Sequence, residues 1–147
     1  MSQTETVELK KSNIVLVVFL SLITLGIYIG YWFLNRKDSI QTLESKRGVP
    51  FKWWVVFTIY LVTAFLLFFT DAVFFTPYGM LIVESVNTII AYYFLGLLYY
   101  SVFRLKEVLE SHYEELHLHK VLLFFFHIWY IQFKLNQLKQ SSLPLQE

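Results

Sequence analysis

Residues 53–103 read WWVVFTIYLVTAFLLFFTDAVFFTPYGMLIVESVNTIIAYYFLGLLYYSVF. From Trp53 to Thr70 there is no charge; Asp71 interrupts, and apolar residues resume to Phe75. Met80 to Phe103 is apolar apart from Glu84 and Asn87. Between the two runs lies Thr76-Pro77-Tyr78-Gly79, an uncharged turn punctuated by Pro and Gly. Each run is long enough to cross a hydrocarbon core about 30 Å thick. A tight transmembrane helical hairpin is therefore the expected centre of the fold.

Working outward, Ile14 to Leu34 is a further 21 residues without a charge, again about 30 Å of helix at 1.5 Å per residue. It follows Lys10 and Lys11 but has no small-residue cleavage site, so it is expected to stay in the protein. Val121 to Phe133 is only 13 residues between Lys120 and Lys134 and contains His127. It spans only if the lysines snorkel; otherwise it is re-entrant or interfacial. The expected architecture is all-α and polytopic. One membrane domain covers 12–138, with three to four membrane segments (14–34, 53–75, 80–103, 121–133) around the central hairpin. Polar tails, 1–11 and 139–147, flank it.

Composition agrees. Of 147 residues, 56% are hydrophobic, 20% aromatic and only 16% charged, against about 25% charged in a typical soluble domain. Disorder is excluded by the abundance of apolar side chains. The net charge of +1 supplies no basic field for nucleic acid. There is no cysteine, hence no disulfide, thiolate metal site or Cys nucleophile. No phosphate-binding glycine loop, nucleophile elbow or nucleotide fingerprint occurs, so neither enzymatic activity nor a cofactor is expected.

Lysine and arginine positions address orientation. If all four segments span, loops 35–52 and 104–120 share one side with eight basic residues and the two tails share the other with four. If the first and last segments are re-entrant, all 12 basic residues fall on one side. Both arrangements place the two loops in the cytoplasm.

Thr24-Leu-Gly-Ile-Tyr28-Ile-Gly-Tyr31-Trp32, followed by Arg36, resembles the signature of a family of small prokaryotic membrane proteins catalogued as domain of unknown function 4234. Tyr130-Ile-Gln132-Phe-Lys-Leu135-Asn136 is similar to that family's closing pattern. The resemblance implies a helical protein of a bacterial or archaeal cytoplasmic (inner) membrane, and no particular activity.

Several constellations are candidates for function. Gly26 and Gly30 form a G-x-x-x-G, which lets another helix approach closely, either in a second chain or within this one. Gln132 and Asn136 are placed to hydrogen-bond a neighbouring helix. Tyr28, Tyr31 and Trp32 precede Arg36 and Lys37, and Trp53 and Trp54 follow Lys52; aromatic rings beside cations read as headgroup-level anchors. Asp71 and Glu84 lie at equal distances either side of the Pro77 turn, with Asn87 one turn on. They are a candidate cation or proton site, or two acids wetted at the outer interface. His112, Glu115 and His119 at i, i+3 and i+7 would share a helix face and form a candidate metal site, the alternative being a solvated or interfacial helix face. Lys120, His127 and Lys134 repeat every seven residues, as an amphipathic stripe would.

The expected function is a non-enzymatic membrane module, either a self-associating scaffold or an accessory subunit. Its expected partners are the bilayer and a second copy or another membrane protein. A small oligomeric channel or permeabilising protein is the alternative, and a membrane metalloenzyme the third.

Overall fold

A computed structural model describes residues 12–43, 48–69, 76–113 and 116–141. The described residues form α1 (Ile14–Ile23), α2 (Ile27–Leu34), α3 (Lys37–Leu43), α4 (Phe51–Phe68), α5 (Pro77–His112) and α6 (Lys120–Ser141), with no strand among them. Two of these, α4 and α5, are long and apolar enough to cross a membrane.

The uncharged run 14–34 is not one helix. Asn13 caps α1, its side chain accepting from Val15 N at 3.0 Å. The helix stops at Ile23, and Leu25 (φ 49) and Gly26 (φ 96) both take left-handed backbone, Gly26 at little steric cost. Thr24 ties the two pieces together: its hydroxyl donates to Leu20 O at 2.6 Å and accepts from Tyr28 N at 3.0 Å. The chain then returns. Arg36, beyond the end of α2, donates to Ser12 Oγ, before the start of α1, at 2.8 Å. The run is therefore a helical hairpin whose open end is polar.

The last segment behaves alike. Within α6, His127 sits at φ 42, ψ −123, outside helical space. The His119 backbone N–H, before the helix, donates to the Tyr130 hydroxyl at 3.3 Å. A continuous helix would hold those two residues about 16 Å apart along its axis, so the arms 120–126 and 128–141 fold back on each other. The two hairpins lie side by side. Trp129 Nε1 donates to Ser21 Oγ at 3.4 Å near their closed ends, and Asn136 Nδ2 donates to Ser12 O at 3.0 Å at the open ends.

α4 packs most extensively against α2. Phe33 and Trp54 stack at 4.3 Å between ring centroids. Gly30 is what admits the approach: a Cβ there would lie 3.3 Å from Thr58 Cβ and closer still to its hydroxyl. α4 meets α5 through long side chains rather than close backbones. Trp54 Nε1 donates to Ser101 Oγ at 2.9 Å, Trp54 packs edge-on against Phe94, and the Tyr60 hydroxyl donates to Asn87 Oδ1.

The core gathers at one end of the molecule. Val17, Phe33, Ile40, Trp54, Val102, Leu109, Leu123 and Ile131 are buried there. No residue in 55–69 or 76–97 is buried.

Of the two arrangements open for 14–34, one spanning helix and a re-entrant pair, the run is not one continuous helix, because Thr24 and the left-handed pair after it end α1. Three expectations need correction. Thr76-Pro77-Tyr78-Gly79 is a helix start, not a turn: Thr76 is the N-cap, its hydroxyl accepting from Gly79 N at 3.3 Å, and Pro77 occupies the first helical position, where its missing N–H costs nothing. The polar helix expected over 104–120 stops at His112, where α5 ends, and 116–119 are not helical. The seven-residue stripe Lys120–His127–Lys134 does not form, because the backbone reverses at His127.

Candidate functional site

The junction after α2 holds a buried arginine. Trp32, Arg36 and Gln132 are each 2% exposed or less. Gln132 Oε1 accepts twice, from Arg36 Nη2 at 2.8 Å and from Trp32 Nε1 at 3.0 Å. Gln132 Nε2 donates to Asn136 Oδ1 at 2.9 Å, and Asn136 in turn reaches the Ser12 carbonyl. The guanidinium carbon lies 4.4 Å from the centre of the Trp32 ring, a cation–π contact strengthened by exclusion of water. Burial lowers the Arg36 pKa to about 10, with Tyr28 and Tyr31 acting in the opposite direction, so the side chain remains a cation at pH 7.

Each participant is placed by its local structure. Trp32 and Arg36 are four residues apart, one above the other across the end of α2. Gln132 and Asn136 bear the same relation on the second arm of α6. The amide of Gln132 is a neutral acceptor that satisfies both the cation and the indole, and its own donor is used by Asn136. A buried charge is tolerated only with such partners. The cluster ties three separate parts of the chain together: the entry to α1, the exit of α2 and the end of α6.

No family model, curated protein or solved structure matches this chain. The two sequence motifs at opposite ends of the chain nonetheless meet in space. Trp32 and Arg36 from the first face Gln132 and Asn136 from the second.

The other expected sites fare differently. Trp32, Arg36 and Trp54, expected as headgroup anchors, are interior, because each finds a polar partner inside: Gln132 for the first two and Ser101 for Trp54. Tyr31, Lys37 and Trp53 are exposed and Tyr28 is half-buried. Gly26 and Gly30 do not share a continuous helical face, since Gly26 is the left-handed cap before α2. Gly30 contacts α4 of the same chain, which is the intrachain use of the motif.

Asp71 lies outside the described residues, and Glu84 and Asn87 are both exposed on α5. His112 is the last residue of α5 and His119 precedes α6, with Tyr113 extended between them (φ −113, ψ 99). They therefore do not share a helix face, and Glu115 lies outside the described residues. Among the described residues no group of His, Asp and Glu is arranged to hold a metal.

Sequence reasoning missed Ser12, Ser21, Thr58 and Ser101. Small hydroxyl residues in apolar runs are the signal that would have found the last three. Each sits where a tryptophan N–H or a glycine backbone approaches.

Proposed function

We propose that the chain is a small integral membrane protein that works without chemistry of its own, as a self-associating scaffold or an accessory subunit of a larger membrane assembly. The observation that carries this reading is the bareness of α4 and α5. Residues 55–69 and 76–97 are almost wholly apolar and none is buried, with Ile59, Leu66, Ile82 and Ile89 all 58% exposed or more. Leaving such side chains in water forgoes about 1.5–3 kcal/mol each; lipid or other protein must cover them.

In this reading α4 and α5 form a transmembrane hairpin, and the two broken segments are re-entrant. Ser12, Arg36 and Asn136 meet at one end, which supports a re-entrant course for both outer segments. That arrangement gathers all 12 basic residues on one side, the cytoplasmic side by the charge rule. Membership of the prokaryotic family that the two terminal motifs resemble is part of the proposal; the meeting of those motifs at Arg36 supports it.

Purification in mild detergent, with crosslinking and mass spectrometry, tests the role. The scaffold reading expects crosslinks along the exposed faces of α4 and α5, to a second copy or to one stoichiometric partner. A monodisperse monomer with neither would contradict it. A second reading, an oligomeric pore, is favoured by Glu84. It is the only charge between Met80 and Phe103 and it is exposed. Ion flux in proteoliposomes that is abolished by Glu84→Gln would support the pore over the scaffold.

A further inference from the structure

The two broken segments share a feature that α4 and α5 lack: each turns back part-way. α1–α2 turns at Leu25 and Gly26, and α6 turns at His127. Their open ends meet at Ser12 and Asn136 and their closed ends near Ser21 and Trp129. α1 has 10 residues, so the hairpin is about 15 Å deep, half of a hydrocarbon core of about 30 Å.

The outward faces near the closed ends are apolar. Phe19, Leu22, Leu25 and Phe125 are each 60% exposed or more. The polar groups Ser12, Asn35, Lys37 and Asn136 cluster at the open ends. Gly30 lies against Thr58 and Gly26 against Phe94, so the first hairpin runs beside the lower part of α4 and α5 and stops there. Both hairpins therefore share one half of the membrane thickness.

The result is a tapered body. In one leaflet four hairpin arms stand beside α4 and α5; in the other only α4 and α5 remain. A helix about 10 Å across covers about 80 Å², so the leaflets differ by about 300 Å² of protein cross-section per chain. A flat bilayer accommodates that mismatch poorly, and curving convex towards the crowded leaflet relieves it, as shallow insertion of amphipathic segments does. We infer that this protein seeks and stabilises membrane curvature, convex on the side of its packed end. The inference rests on the proposed membrane reading and adds a physical activity to it.

The test uses the full chain carrying Glu107→Cys, reconstituted into phospholipid vesicles that are then separated by size. Retention after alkaline extraction reports insertion, and a membrane-impermeant maleimide reports the fraction with the packed end outward. The expected result is a protein-to-lipid ratio and an outward fraction that are both higher in small vesicles than in large ones, by more than about twofold. Equal ratios and equal orientation in both size classes, with the protein inserted, would overturn the inference and leave the membrane reading standing. Protein released by alkali would overturn both.

Two variants place the effect on the hairpins. Leu22→Lys with Leu25→Lys charges the first closed end, and Phe125→Lys charges the second. All three side chains are exposed, so neither change opens the core. Each is expected to reduce the size preference while insertion persists. A preference unchanged in both would overturn the assignment to the hairpins; if one variant fails to insert, the other decides.

Discussion

The two halves of α5 are built for different surroundings. From Leu98 onward, Leu98, Ser101, Val102, Leu105, Val108 and Leu109 are buried. Their three- and four-residue spacing is that of a helix with one inward face. Elsewhere on that half, Arg104 pairs with the exposed Glu107, as on a helix beside water, while the partly buried Lys106–Glu110 pair lies against the chain after α5, Glu110 accepting from Leu118 N at 2.8 Å. From Pro77 to Leu97 nothing is buried and the only charge is Glu84. One unbroken helix thus passes from a protein-packed end to one that touches the rest of the described chain only through side chains such as Phe94 and Asn87 and buries none of its own residues. The difference teaches that the chain folds around its packed end, and that in the proposed reading lipid surrounds the remaining length.

Substitutions at the two ends should therefore differ in sign as well as size. The largest effect is expected for Gln132→Leu, which strips a buried cation and an indole of their shared acceptor. A loss of about 3 kcal/mol would appear as a large fall in the thermal midpoint in detergent, with Gln132→Glu much milder because an acceptor is retained. Next comes Gly30→Ala. The new methyl meets Thr58, whose hydroxyl is held by the Trp54 carbonyl at 2.7 Å, and overpacking of this kind costs about 1–3 kcal/mol. Adding Thr58→Ala should recover most of that loss; no recovery would show that the close approach is not what Gly30 provides.

Trp54→Phe keeps the stack on Phe33 but abandons the Ser101 hydroxyl, for about 1 kcal/mol. The smallest effect, and of opposite sign, belongs to Gly96→Ala. Nothing lies within 4 Å of a Cβ there, so the gain in helix propensity, up to about 1 kcal/mol, should stabilise. Equal destabilisation at Gly30 and Gly96 would erase the contrast between the two ends.

The bare end was legible in the sequence and the packed end was not. About fifty residues with few charges need no tertiary information to be read as apolar helix. Trp32 and Arg36 were misread because an aromatic beside a cation suits a headgroup and a core equally well. The deciding partner, Gln132, is about a hundred residues away. Gln132 and Asn136 were recognised as helix-bonding residues, but nothing local says to which helix. The break at Thr24–Gly26 carries a glycine, yet it lies inside an uncharged run of full spanning length, so length argues for one helix while the charge distribution argues for a re-entrant pair. His127 offers no sign at all, since neither glycine nor proline marks the reversal, and the contacts that accompany it, with Tyr99, the first hairpin and between His119 and Tyr130, are tertiary.

Because the chain has no cysteine, single cysteines can test the central claim directly. Ile82→Cys and Ile89→Cys lie on the bare half of α5, and Glu107→Cys lies on its packed half; all three side chains are exposed. Reaction with a membrane-impermeant maleimide, in membranes opened so that both faces are reached, compares them at equal exposure. The account predicts rapid labelling at Glu107→Cys and little or none at Ile82→Cys and Ile89→Cys until detergent is added. Labelling of all three at similar rates in the intact bilayer would mean that water, not lipid, surrounds the bare half, and would contradict it.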